Sequence, residues 1–229
     1  MIWKRDGGLN AISRSERCGT AAGGGAARSG AGGSGGAGSG DGDPPGGGVV
    51  VAYEVARALQ APLDVVLSHK LGAPGNPELA IGAVAEDGTL WVDPLAIAEL
   101  EVPPAYIEEE VRRQQEELRR RAALFRGARP PIPVEGRTVV VVDDGIATGA
   151  TMRVSLRSLR NRGARRLIVA APVAPPEMLP RVQAEADAVV VLYTPALFWA
   201  VGAFYEQFDQ VPDEEVVALL EEAIAWGRK

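Results

Sequence analysis

From residue 49 onward the apolar and polar positions follow two rhythms, one of helical period and one of continuous short runs. Over Val51–Gln60 the apolar side chains Val51, Val55, Ala56 and Leu59 recur at helical spacing around Glu54 and Arg57, which predicts a short helix ended before Pro62. Leu63–Ser68 reads as a strand that runs into His69 and Lys70. Leu71–Pro77, with two prolines and two glycines, reads as a loop. Ala80–Ala85 and Thr89–Val92 predict a hairpin around Glu86-Asp87-Gly88, because Asp-Gly favours a tight turn. Between Pro103 and Arg126, Ile107, Val111, Leu118, Ala122 and Phe125 form one stripe of a long helix. Glu108–Arg112, Glu109–Arg113, Glu116–Arg120 and Glu117–Arg121 stand at i,i+4 on it, each pair adding about 0.2–0.5 kcal/mol, and its arginines read as a solvated face.

Arg137–Val142 is a continuous apolar run, followed by a helix from about Ala150 to Arg162 that Gly163 closes. A strand at Leu167–Ala171, a helix around Pro176–Glu185, a strand at Ala188–Leu192 and an amphipathic helix over Pro212–Trp226 complete the chain. Strands apolar on both faces that alternate with helices require cover on both sides. The predicted class is therefore α/β, a parallel sheet with helices on both faces.

Composition changes this picture at one end. Of 28 glycines among 229 residues, 15 fall between Gly19 and Gly48 together with six alanines, and no larger aliphatic or aromatic side chain is present there. Such a stretch buries too little to offset the ~1–2 kcal/mol lost per ordered backbone residue. Residues 1–46 are accordingly expected to be a low-complexity segment, and 47–229 a single domain. The net charge is −6 without a basic stripe, which argues against nucleic acid as a partner. The single cysteine, Cys18, excludes a disulfide framework within the chain, and no apolar window is long enough to span a membrane. A soluble cytoplasmic protein is expected, with no membrane partner.

The chemistry lies in Val139-Val140-Val141-Val142-Asp143-Asp144-Gly145-Ile146-Ala147-Thr148-Gly149-Ala150-Thr151. A buried strand ends in two carboxylates, and a turn of small residues then opens a helix. Open α/β sheets bind ligands at that carboxyl edge. The small side chains let backbone N–H groups approach a phosphate beside the positive helix terminus, and Thr148 and Thr151 add hydroxyl donors. A P-loop is excluded because no Gly-x-x-x-x-Gly-Lys-Ser/Thr occurs, and a dinucleotide fingerprint because Gly145 and Gly149 stand alone.

This segment closely resembles the 5-phosphoribosyl pyrophosphate (PRPP) motif of type I phosphoribosyltransferases. Lys70–Val84 and Val201-Gly202-Ala203-Phe204-Tyr205 are similar to a bacterial branch of that family. The resemblance implies a pentosyl-transferring glycosyltransferase that moves the phosphoribosyl group of PRPP to a nitrogenous acceptor, a nucleobase, using Mg2+. By position, Asp143 and Asp144 would hold the ribose hydroxyls with magnesium nearby, and Ala147, Thr148, Gly149, Ala150 and Thr151 the 5′-phosphate. Gly47, Gly48 and Lys70 would face the pyrophosphate. Homodimers are usual in the family. A protein that binds PRPP or a nucleotide for regulation, without turnover, is the alternative.

Two departures from the family pattern follow. Purine-type members carry an aspartate at the position of Ala147, and alanine accepts no proton, so no general base is assigned. Upstream, the family enters through an apolar strand and a Pro-Arg-Gly-Gly turn. Here the turn is Pro45-Gly46-Gly47-Gly48, and no apolar strand precedes it. A misread frame before Gly47 accounts for both absences, and a flexible extension is the other reading. His69, the only histidine, is expected to be a polar strand-end residue. The aromatics Phe198, Trp199, Phe204, Tyr205 and Phe208 are expected to pack together or at a dimer contact, with a base-stacking lid as the alternative.

Overall fold

The computed structural model describes residues 9–15, 47–224 and 226. In chain order the elements are β1 (Leu9–Ser15), α1 (Gly48–Leu59), β2 (Leu63–Ala73), β3 (Asn76–Ala85), β4 (Leu90–Val92), α2 (Pro94–Glu99), α3 (Pro104–Arg126) and β5 (Thr138–Val142). They continue as α4 (Ala150–Asn161), β6 (Arg166–Val173), α5 (Leu179–Gln183), β7 (Ala188–Tyr193) and α6 (Asp213–Ile224), with 3-10 turns at Pro176–Met178 and Val201–Phe204. The strands form one sheet in the order β4-β3-β2-β1-β5-β6-β7. β2, β1, β5, β6 and β7 run parallel, and β3 and β4 extend the sheet antiparallel.

The four valines of β5 show why helices flank both faces. Val140 and Val142 pack with Val49 and Ala52 of α1, Leu118 and Phe125 of α3 and Leu220 of α6. Val139 and Val141 point the other way, among Met152, Leu156 and Leu159 of α4 and Val182 of α5. Each such side chain contributes about 1.5–3 kcal/mol when fully buried. The expected α/β class, with a parallel sheet covered on both sides, is what the chain forms.

Several local expectations change. A strand does precede Gly47: β1 lies at the centre of the sheet, with Ser13 in register with both Val65 and Val142. Cys18 and the Pro45-Gly46 half of the turn lie outside the described residues. The expected loop over 71–77 shrinks to a turn at Pro74-Gly75, where Gly75 has φ +73°. β2 and β3 meet so closely there that a Cβ on Gly72 would lie 2.6 Å from Pro77 Cα, and the register shifts around Gly72 accommodate the proline. α2 was not predicted; Asp93 caps it by accepting from the N–H groups of Leu95 and Ala96 at 3.0 and 3.3 Å.

On α3 the carboxylates mostly pair one residue earlier than expected. Glu109–Arg112, Glu110–Arg113 and Glu117–Arg120 close at 2.7–2.8 Å with i,i+3 spacing, and of the expected i,i+4 pairs Glu117–Arg121 forms at 2.8 Å. Nor are the arginines all solvated, since Arg121 and Arg126 are buried. Among the described residues no helix is long and apolar enough to cross a membrane.

Candidate functional site

β5 carries the hydrogen-bond ladder directly into the acidic pair. Asp143 N–H donates to Ala170 of β6 at 3.1 Å, so Asp143 is fixed at the carboxyl edge of the parallel sheet. The Asp143 side chain then turns back, its Oδ1 accepting from Asp144 N–H at 3.1 Å. Both residues are nearly enclosed, 2% and 5% exposed. Carboxylates this deep are tolerated only when partnered, and both have partners.

The turn after the pair is built from small residues for steric reasons. Val201 covers Gly145 so closely that a Cβ there would lie 2.6 Å from Val201 Cγ1. Ile146 N–H donates to Val173 at 2.9 Å and pins the turn to the end of β6. Gly149 then takes φ +69° and ψ 2° as the residue that opens α4. No side chain caps the α4 N-terminus, so the first-turn N–H groups and the positive end of the helix dipole face outward from the loop. Of the two threonines, Thr148 is exposed and Thr151 lies buried in the first turn.

Gly47 and Gly48 meet this site from a second helix. Gly47 precedes the first turn of α1 and accepts from Val50 and Val51 N–H at 3.0 and 3.2 Å. A Cβ on Gly47 would lie 3.2 Å from Asp144 Oδ2, so the α1 N-terminus sits against the second carboxylate. Two helix N-termini and two carboxylates therefore converge at one sheet edge.

Lys70 stands farther out. Val142 is level, across Ser13 of β1, with Val65 of β2. Lys70 follows four residues beyond the level of Asp143, roughly 13 Å along the strand, on the arm where β2 pairs with β3 and Lys70 faces Ala83. His69 lies within β2 and not at its end as expected, because β2 continues to Ala73, and its Nδ1 stands 3.0 Å from the Lys70 carbonyl oxygen.

One contact at the site was missed. Tyr205, just beyond the turn Val201–Phe204, donates its hydroxyl to the Asp144 carbonyl at 2.5 Å. Burial first, then the Asp144 and Asp143 carboxylates, push the phenol up to about 12, so it remains a donor at neutral pH. The bond spans 61 residues of sequence, and no local pattern signals it. The neighbouring aromatics pack on one another: Phe198 and Phe204 stack at 5.4 Å, and Tyr205 tilts against Phe208 at 5.1 Å. Trp199 is 80% exposed.

Comparison with known proteins agrees with this geometry. A family model described as "Phosphoribosyl transferase domain" matches residues 44–207. A protein of Mycobacterium tuberculosis H37Rv named "Putative phosphoribosyl transferase Rv0571c" is 48% identical over 179 residues, 78% of this chain, and a counterpart in strain CDC 1551 is equally similar. The matched region spans 40% of the length of these relatives. The crystal structure of TT1426 from Thermus thermophilus superposes with a TM-score of 0.68 at 41% identity, covering 97% of this chain and 89% of that one.

Proposed function

The chain belongs to the phosphoribosyl transferase domain family, and from that premise we propose that it moves the 5-phosphoribosyl group of PRPP to a nitrogenous acceptor, a nucleobase, with release of pyrophosphate. The observation that carries this reading is the convergence of the Asp143–Asp144 pair, the turn opening α4 and Gly47 of α1 at one sheet edge. Asp143 and Asp144 accept hydrogen bonds from the ribose hydroxyls. The backbone of Ala147, Thr148, Gly149, Ala150 and Thr151 holds the 5′-phosphate at the α4 N-terminus, with Thr148 free to turn its hydroxyl toward it. Gly47 and Gly48 present the α1 N-terminus to the pyrophosphate, and Lys70 reaches toward it from the β2–β3 arm.

The donor set fits Mg2+ carried in by the substrate. Among the described residues no group of three or more metal-binding side chains is assembled, and Mg2+ is commonly held by one or two carboxylates plus waters and substrate phosphates. Asp143 and Asp144 are the residues that would hold it. When bound, the ion neutralises the departing pyrophosphate. The protein's own contribution is positioning and fixed dipoles around a sugar that gains positive charge. Ala147 supplies no proton acceptor, which speaks against the mechanism of purine-type members. The lone cysteine supports a cytoplasmic setting.

Calorimetric titration with PRPP and Mg2+, followed by pyrophosphate release against a panel of bases, tests the proposal. Binding and release with at least one base is expected. Binding without release would favour the regulatory alternative, and no binding would refute both. Asp143→Asn with Asp144→Asn should abolish PRPP affinity; retained affinity would refute the assignment of the acidic pair.

A further inference from the structure

The Asp144–Gly145 peptide is clamped from a distant part of the chain. Tyr205 donates to its carbonyl oxygen at 2.5 Å, and Val201 presses on its glycine, where a Cβ would meet Cγ1 at 2.6 Å and Cγ2 at 2.8 Å. Both residues belong to one short segment, the 3-10 turn Val201–Phe204 and the residue after it. From the start of α1, Gly47 closes on the Asp144 carboxylate, leaving 3.2 Å between Oδ2 and a Cβ built there. Phe208 holds the segment in place: it packs on the Tyr205 ring at 5.1 Å and lies 2.8 Å from where a Cβ on Gly202 would stand.

A peptide plane followed by glycine rotates easily, because glycine tolerates a wide range of φ. Rotation about the Asp144 Cα–C bond swings the carbonyl, and the backbone change re-aims the carboxylate carried on the same Cα. An outside restraint on the carbonyl and on the glycine removes this freedom.

We propose that Tyr205 is a positioning residue for PRPP: together with Val201 it locks the Asp144–Gly145 peptide so that the Asp144 carboxylate stays aimed at the ribose, and it acts through Asp144 rather than on the ligand. The inference rests on reading Asp143 and Asp144 as the ribose-holding pair. Tyr205→Phe keeps the ring and its packing and removes only the hydroxyl. Losing this donor removes the net preference that one hydrogen bond gives the locked peptide, so PRPP binding should weaken by up to about 10-fold.

Gly145→Ala offers an independent route to the same lock. Its backbone φ lies outside the left-handed region, so the added methyl acts mainly by colliding with Val201 and, at 3.0 Å, with Val173 Cγ1. Adding Val201→Ala removes both colliding Val201 methyls and should restore most of the affinity.

The experiment is titration of PRPP with Mg2+ into the parent chain, Tyr205→Phe, Gly145→Ala and Gly145→Ala/Val201→Ala, with a melting temperature for each. Weakened binding by the two single variants, with recovery in the double variant, is expected. A Tyr205→Phe variant that binds as tightly as the parent overturns the inference, as does a double variant that binds no better than Gly145→Ala. If the parent binds PRPP and the Asp143→Asn/Asp144→Asn protein does not, either failure is one of this inference alone. A parent that binds no PRPP removes the proposed function and this inference with it.

Discussion

Arg126→Ala should cost this protein several times more stability than the loss of an arginine from an exposed ion pair. The strand β2 pairs with β1 along one edge, but β3 stops at Ala85, so along the other edge Asp64 to Val66 have no strand neighbour among the described residues. Arg126, at the end of α3, fills that place. Its Nε donates to Asp64 Oδ1 at 3.0 Å, its Nη1 and Nη2 grip the two oxygens of Glu86 at 2.6 and 2.8 Å, and Nη2 also donates to the Val65 carbonyl. Arg126 is 6% exposed. Burial alone would lower its pKa, yet Glu86 and Asp64 outweigh it and hold the guanidinium above the usual arginine range.

Removing one partner from a buried, hydrogen-bonded ion cluster costs about 3–5 kcal/mol, because the remaining charges stay desolvated. Asp64 keeps two other donors, Val65 N–H and Ile132 N–H, both at 2.8 Å, which places the expectation near the lower figure. For a chain of this size a loss of ~3 kcal/mol lowers the melting temperature by about 6–12 °C. Thermal unfolding followed by far-UV circular dichroism measures it. Arg57→Ala is the control, since Arg57 pairs with Glu54 in a contact whose side chains are 58% and 55% exposed; such pairs contribute about 1 kcal/mol or less. Equal melting temperatures for the two variants would refute the view that Arg126 is a buried structural cation.

Gly149→Ala should destabilise by ~1–2 kcal/mol, because φ +69° is left-handed backbone that a Cβ disfavours. Met178→Ala should not rescue it, although Met178 Cε lies 2.9 Å from the added carbon, since that flexible tip moves easily and the backbone cost remains; a fully rescued melting temperature would contradict this. Glu117 is held down to about 2 by hydrogen bonds from Arg120, with burial opposing and Arg121 assisting, against an ordinary 4.5. A carboxyl depressed on folding stabilises above its unfolded value and loses that contribution as pH falls through its folded value. The parent's advantage over Glu117→Gln should therefore hold above pH 4.5 and shrink toward pH 2; an advantage unchanged at pH 2 would count against the assignment. We also propose that residues 1–46 are a misread segment in which Leu9–Ser15 occupies the place of the native central strand. Sequencing the gene should find, in another frame upstream of Gly47, an apolar strand followed by Pro-Arg-Gly-Gly, and if neither frame encodes one, Leu9–Ser15 is the native central strand.

What was legible in the sequence is what is local. The helices α1, α3, α4 and α6 show their period because one face of each lies on the sheet, and the valine run of β5 shows burial on both faces. The acidic pair and the phosphate turn were readable for a related reason: strand end, turn and helix start are consecutive, so one stretch of chain spells the arrangement. Arg126 was misjudged because the i,i+4 rule sees only a helix's own neighbours, and its partners Asp64 and Glu86 lie 62 and 40 residues away.

The strand β1 was illegible for a different cause. Leu9-Asn10-Ala11-Ile12-Ser13-Arg14-Ser15 carries neither a period of two nor an apolar run, and its place is defined by two backbone ladders, to β2 and to β5. That omission hid a consequence. In a parallel sheet every strand leaves by the carboxyl edge, and the helix that returns to the next strand begins there. Because α1 returns to β2 through only Gln60–Pro62, and β2 runs parallel to β1 and β5, the start of α1 opens on the same edge as Asp143 and Asp144. Gly47 against the Asp144 carboxylate follows from the strand order β2-β1-β5, not from any motif around Gly47, and the same topology leaves the segment carrying Val201 and Tyr205 to close the site from beyond β7.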